Sequence, residues 1–281
     1  MRPTFLTASL AIALLIGTLL AHQHYSTSQM NLIQLNVPND QMPEDFPGLR
    51  VAVVGDLHVS DSPAAYLELE LLATQVVAAK PDFIILLGDY TAHPNSITNL
   101  MNHRTEIAAR LFMTAEIPIA AILGNYETWS GQKEWIAALS EAGLLVLNNA
   151  IQVISSGHHN FCVRGLGDAF THQLKFVEFP VRCSNKLQMT LTHDPAGAFH
   201  TGVSGLIFAA HTHCGQIRIP GFGPLWMPTK APRAATCGLY KDDTRVLWVT
   251  SGIGSSILPI RLGAQSQWDL ITLRSHQAET H

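Results

Sequence analysis

Apolar runs and amphipathic stretches alternate along the first half of the chain. Val51–Val54, Phe83–Leu87 (FIILL) and Ile119–Leu123 (IAAIL) are short continuous apolar runs, the pattern of strands buried on both faces. Between them, Ala64–Ala79 and Asn99–Ala115 carry apolar residues at helical spacing, with Glu68 and Glu70 off the apolar face of the first. Glu134–Ala142 reads as a shorter helix stopped by Gly143. Pro81 and Pro118 restart the chain before the second and third runs. Three strand–helix units in succession predict parallel strands with right-handed crossovers. Beyond Leu144 the helical spacing thins. There LLVLN, IQVIS, FCVRGLG, LQMTLT, LIFAA, QIRIP, RVLWVTS and WDLITLR read as strands divided by Gly, Asn or Pro turns. An α/β front half and a strand-rich back half predict two sheets packed together with helices outside.

The front of the chain adds a different element. Thr4–Ala21 is almost wholly apolar, about 18 residues, the lower edge of a bilayer span. The competing reading is a cleavable signal peptide, whose apolar core is usually roughly 7–15 residues long. A cut after Ala21 would put Leu19 where a small residue is preferred, which favours an uncleaved anchor. Arg2 is the only Lys or Arg before Arg50, so the thin positive-inside bias puts the N-terminus in the cytoplasm and the body outside. The predicted layout is an anchor over 1–25, a tether with an edge strand around Leu32–Val37 over 26–49, and one large domain over 50–275. That places the body in the periplasm, on the inner membrane or free after signal cleavage.

Charge and cysteines exclude more than they assign. A net charge of −4 with no run of Lys and Arg disfavours nucleic acid as a partner. Cys162, Cys183, Cys214 and Cys237 form no CxxC, which excludes a zinc knuckle or thioredoxin motif. Three pairings are open, Cys162 with Cys183 among them, and burial as small apolar residues is an equal alternative.

The candidate chemistry sits where apolar runs stop. VAVVGDLH presents Asp56 and His58 one residue apart, on one side of an extended chain. LLGDY adds Asp89, LGNYE adds Asn125, LTHDP adds His193, and AAHTHCG adds His211 and His213. Ligands in such sheets gather beyond the carboxyl ends of strands, so five strands deliver donors to one rim. Gly55, Gly88 and Gly124 are expected to let the backbone turn sharply there. Two Asp, one Asn and four His are too many donors for one tetrahedral ion. They suit two divalent ions roughly 3.5–4 Å apart with one carboxylate bridging, a device that clamps a phosphate and acidifies a water. Imidazole with carboxylate fits Mn, Fe or Zn alike.

The ordered set D-x-H, GD, GN, H and H-x-H resembles the calcineurin-like metallophosphoesterase superfamily over residues 50–273. HTHCGQIRIPGFGPLW from His211 and SGIGSSILPIRLG from Ser251 further resemble its bacterial membrane-anchored branch. The resemblance implies a four-layer αββα sandwich, two mixed sheets flanked by helices, behind an N-terminal transmembrane helix. It implies one ion held by Asp56, His58, Asp89 and His213, and a second held by Asp89, Asn125, His193 and His211. Asp89 would bridge, and Asp89, Asn125, Tyr126 and His193 would be the catalytic residues.

Two positions depart from the family pattern. GNYE has Tyr126 where the family usually has a His that assists the transition state or leaving group. A phenol with a pKa near 10 is a poor proton shuttle at neutral pH, so a slower enzyme, or one limited to good leaving groups, is expected. His93 is the candidate substitute. Cys214 stands where the usual GHTHGGQ has Gly. Arg261 is a phosphate clamp or an internal partner, His200 lines the site or is exposed, and the Trp226–Met227–Pro228 loop faces a lipid-like substrate or the core. The expected function is a two-metal phosphoester hydrolase that prefers phosphodiester or pyrophosphate linkages to monoesters. Lipid-linked substrates follow from the anchor and the branch, in the manner of a UDP-diacylglucosamine hydrolase. The competing reading is a metal-binding envelope protein without catalysis; a nuclease is disfavoured by the acidic balance.

Overall fold

The computed structural model describes residues 29–37, 48–112, 116–219 and 221–275. The expected anchor over 1–25 lies outside the described residues, among which no helix is long and apolar enough to cross a membrane. Two six-stranded sheets make the body. The first runs β1 (Gln29–Val37), β14 (Gln267–Ser275), β2 (Leu49–Val54), β3 (Phe83–Leu86), β4 (Ile119–Ala121), β5 (Leu145–Val146) in space. Only the β14–β2 pair is antiparallel, so the three strand–helix units are parallel as expected, and β1 is an edge strand. The second runs β12 (Gly238–Lys241), β13 (Arg245–Val249), β9 (Gly205–Ala209), β8 (Leu187–Leu191), β7 (His159–Gly165), β6 (Ala150–Ser156). A two-stranded ladder joins β10 (Arg218–Ile219) to β11 (Gly223–Pro224).

The continuous apolar runs face two cores at once. Val51, Val53, Phe83 and Ile85 point between the sheets and meet Phe161, Val163, Met189 and Phe208. Their alternates Ala52, Val54, Ile84 and Leu86 point outward to the helices. Those helices are α1 (Pro63–Ala78), capped by Ser62, and α2 (Leu100–Leu111), capped by Asn99. A short α3 (Asn125–Trp129) and α4 (Gln132–Glu141) follow. Leu69, Leu72 and Val76 of α1, Ile107 and Leu111 of α2, and Trp135 and Leu139 of α4 cover the sheet.

The fourth layer departs from the expected sandwich. Over the outer face of the second sheet, Ala198 and Ala235 lie in 3-10 turns, and Leu174, Phe176 and Phe199 pack beside them; no α-helix covers this face among the described residues. Over 195–204, Pro195, Gly197 and Gly202 interrupt any helical stripe, and over 166–186 Pro180 is followed by only a 3-10 turn at Val181–Cys183. QIRIP contributes only Arg218–Ile219 to a strand, because Gln216 is turned to φ 44°. Strand β12 and helix α3 carry no periodic signal in the sequence. All four cysteines are paired, Cys162 with Cys183 and Cys214 with Cys237, at Cα separations of 5.9 and 4.8 Å.

Candidate metal centre

The donors sit in the turns after five strands: Asp56 and His58 after β2, Asp89 after β3, Asn125 opening α3 after β4, His193 after β8, His211 and His213 after β9. The structure brings all seven together. Asp56, His58 and His213 form one group and Asp89, His193 and His211 another, each with its ligand atoms within 4.8 Å of one another. Asp89 stands between them, Oδ2 lying 3.8 Å from His58 Nε2 and 3.3 Å from His193 Nε2. Asn125 Oδ1 is 3.3 Å from His193 Nε2.

Strand alternation is not what makes the donors converge. Asp56, His58, Asp89, His211 and His213 have φ of 51°, 47°, 51°, 68° and 48°, so five donor residues are left-handed rather than extended. Alternation would have set His211 and His213 in one group; the turn sends them to different ones. Such a conformation costs an L-residue roughly 1–2 kcal/mol, and its concentration here marks a site where geometry outranks local stability. A mesh of hydrogen bonds holds it. Asp56 N donates to Gly88 O and His58 N to Asp89 O, both at 3.0 Å. Tyr126 N donates to Asp89 Oδ1 at 2.9 Å, and His211 N to Asp56 Oδ2 at 2.9 Å.

The glycines work differently from one another. Gly88 has φ 88° and needs the freedom to turn. Gly124 has an ordinary φ of −98°, but a Cβ there would lie 2.2 Å from Asp89 Oδ1. It is glycine because Asp89 lies against it, and Gly55 is likewise a close-approach position rather than a left-handed one.

Glu127 is the residue that sequence reasoning passed over. Fully buried, its carboxylate accepts from Gly124 N at 2.9 Å and from Asp89 N and Tyr90 N at 2.8 Å. It thereby ties the third strand's turn to the second's. The available signal was its place three residues after the Gly124 N-cap, the acidic position of a capping box. Burial first, then the Asp89 charge, pushes the Glu127 carboxyl up to about 7.

Burial sets the electrostatics. It raises the Asp89 carboxyl, but His193, His58 and His211 together bring it below the usual carboxylate value. His193 moves the other way, burial lowering it and the Asp89 and Asp56 charges lifting it well above an ordinary imidazole. Burial pushes His58 down to about 4 and Asp56 up to about 7. His213 is lowered too, by burial and then by the nearby His58 and Arg261. The dry site therefore concentrates carboxylate charge around neutral imidazoles, with His193 the one group drawn toward imidazolium. Burial of the Asp56, Asp89 and Glu127 carboxyls together favours added positive charge at the site.

The donor set fits divalent ions in that role. His193 Nδ1 donates to Leu87 O at 2.7 Å and His211 Nε2 to Pro228 O at 2.8 Å, which turns His193 Nε2 and His211 Nδ1 toward each other at 3.2 Å. Orientation of ligand imidazoles by backbone carbonyls is a usual support of metal sites. His58 Nε2 and His213 Nε2 similarly face each other at 3.0 Å.

Above the centre opens a cavity of about 470 Å³. Tyr126, Trp129, Phe170 and Trp226 form its aromatic walls. Tyr126 sets its ring edge-on to His58 at 4.7 Å, and its hydroxyl is 3.0 Å from Ser256 Oγ. Burial raises its pKa further, which strengthens the case against it as a proton shuttle. His93 also lines the cavity, 5.7 Å from the Tyr126 ring, and its Nδ1 lies 3.3 Å from Asn95 N. Arg261 points elsewhere: its guanidinium donates to Gly254 O, Ser251 O and His213 Nδ1. His200 is exposed and stacks on Phe176, so it does not line the site. Trp226 is 62 % exposed at the cavity mouth rather than in the core. Cys214 takes φ 53°, which explains why glycine suits its position, and its disulfide fastens the turn to Cys237.

The chain is similar in sequence to known proteins. The chain is 26% identical over 247 residues to the uncharacterized metallophosphoesterase YkuE of Bacillus subtilis (strain 168), covering 85% of this chain and 84% of that one. It is 27% identical over 232 residues to the phosphodiesterase YaeI of Escherichia coli (strain K12), covering 80% and 82% respectively. The calcineurin-like phosphoesterase profile matches residues 49–215, a span that holds every donor described above, and the chain belongs to that family.

Proposed function

We propose that the protein is a two-metal phosphodiesterase acting on lipid-linked phosphodiesters or pyrophosphates at a membrane surface. The observation that carries the reading is the pair of buried His/Asp groups, with Asp89 between them, beside an aromatic-walled cavity that Asp89, Asn125, His211 and His213 line. Asp56, His58, Asp89 and His213 would hold one divalent ion, and Asp89, Asn125, His193 and His211 the other. When bound, such ions neutralise phosphate charge and acidify a water molecule.

The chain's own residues supply the rest. Asn125 is positioned by the start of α3, and Tyr126 is held by Ser256, so both present fixed polar groups to the cavity. Trp129, Phe170 and Trp226 flank them as apolar walls. Among the described residues no Lys or Arg lines the cavity, which suits a singly charged diester better than a doubly charged monoester. Apolar walls suit a substrate with a hydrocarbon part. The two disulfides support an oxidising compartment, and the apolar Thr4–Ala21 supports attachment to the membrane that bounds it.

The test is metal content per chain, followed by hydrolysis of a chromogenic diester and monoester with Mn supplied. Two ions with faster diester turnover are expected. Two ions without turnover would favour a metal-binding envelope protein, and no metal would sink both readings. A second expectation concerns the proton donor. His93→Ala should lower diester turnover by about 10²–10⁴ for poor leaving groups and little for p-nitrophenolate, whereas Tyr126→Phe should change both little. Equal loss on both leaving groups in His93→Ala would remove His93 as the acid.

A further inference from the structure

We propose that the apolar rim around the cavity mouth docks on an anionic lipid bilayer, so that the centre opens directly onto the membrane surface. Two loops build the rim. From the β10–β11 hairpin and its continuation come Phe222, Leu225 and Trp226, exposed by 83 %, 64 % and 62 %; from the 251–266 loop come Ile257 and Leu258, exposed by 79 % and 50 %. The loops form one surface because Gln216 Nε2 donates to Leu258 O and Ile260 O, and Ile217 bridges to Leu262. Large apolar side chains clustered at this exposure are unusual on a surface that meets only water.

Charge and connectivity say what covers it. In a chain of net charge −4, no Asp or Glu occurs between Asp194 and Asp242 or between Asp243 and Asp269. Those spans hold both rim loops together with Arg218, Lys230 and Arg233, and Arg233 Nη2 donates to Phe222 O and Pro224 O behind the hairpin. Aromatic and aliphatic residues backed by cations and free of acids match the interface of an anionic membrane. The chain also enters the described structure here. Gln29 N donates to Ser266 O at 3.1 Å, so the described chain begins beside the end of the 251–266 loop that carries Ile257 and Leu258, with 28 residues of sequence before it. A second copy of the chain would bring like charge against like charge on this face.

The test uses the full chain reconstituted in vesicles of phosphatidylglycerol and phosphatidylethanolamine with acyl-brominated lipid, reading tryptophan emission. Of the five tryptophans, Trp135, Trp248 and Trp268 are buried, so quenching reports chiefly on Trp226 and Trp129. Bromolipid is expected to quench the emission, and Trp226→Phe to remove most of that quenching. Phe222→Ser, which lines no part of the cavity, is expected to reduce the quenching roughly twofold or more, with metal content and soluble-diester turnover unchanged. Vesicles of phosphatidylcholine alone should quench less. Quenching left unchanged by Trp226→Phe, or equal on neutral vesicles, overturns the proposal. So does a dimer in sedimentation with Trp226 shielded from iodide before lipid is added. The readout needs no catalysis: two bound ions without Trp226 quenching would remove the docking surface and leave the hydrolase standing.

Discussion

Asp89→Asn should abolish hydrolysis while leaving the fold intact. The amide has nearly the same shape, and its oxygen can still accept from Tyr126 N, the 2.9 Å contact that seats the turn. What disappears is the charge facing both His58 and His193. Charge stabilisation of several kcal/mol per metal centre, at 1.36 kcal/mol for each tenfold in rate, makes the expected loss about a thousandfold or more. Bound metal should fall from two ions per chain to one or none, while the circular dichroism spectrum stays that of the parent. An Asp89→Asn protein that keeps both ions and a tenth of the diester turnover would rule out the shared carboxylate as the element joining the two groups.

The second large effect is expected at Glu127, which touches no substrate. Glu127→Ala strands the N–H groups of Gly124, Asp89 and Tyr90 in a dry site. Each unsatisfied buried amide costs about 1–3 kcal/mol, so a loss near 4 kcal/mol is expected, a large part of a typical domain's roughly 5–15 kcal/mol. Glu127→Gln keeps one acceptor oxygen and should cost about half as much. Thermal melting of both variants, with metal content measured beside it, checks the pair. A Glu127→Ala protein melting within about 2 °C of the parent would show that the carboxylate does not hold the turns together.

Much of the fold and of the site is legible in the order of residues alone. Continuous apolar runs such as Phe83–Leu87, short and bounded by Pro and Gly, read as strands with both faces covered, and the structure covers them with the inter-sheet core on one side and α1, α2 and α4 on the other. Donor residues placed directly after such runs had to gather at one end of the sheets. Short-range patterning and residue chemistry thus determined the parallel front sheet and singled out seven donor residues that the structure brings together.

What the tertiary structure alone decided is how those residues meet. Nothing local turns Asp56, His58, Asp89, His211 and His213 into left-handed backbone; Glu127, the Asp56 carboxylate and the Gly88 carbonyl impose it from elsewhere in the chain. Pairing Cys214 with Cys237 rather than another cysteine, and covering the second sheet with 3-10 turns instead of helices, likewise depend on contacts between distant segments. The rim is the same kind of fact. Phe222 and Leu258 lie 36 positions apart with no periodic relation, and only the side chain of Gln216 and the Ile217–Leu262 bridge make their loops one surface. A sequence records which groups are available; which of them share a boundary with water, metal or lipid is settled by packing, because burial belongs to the assembled chain and not to any stretch of it.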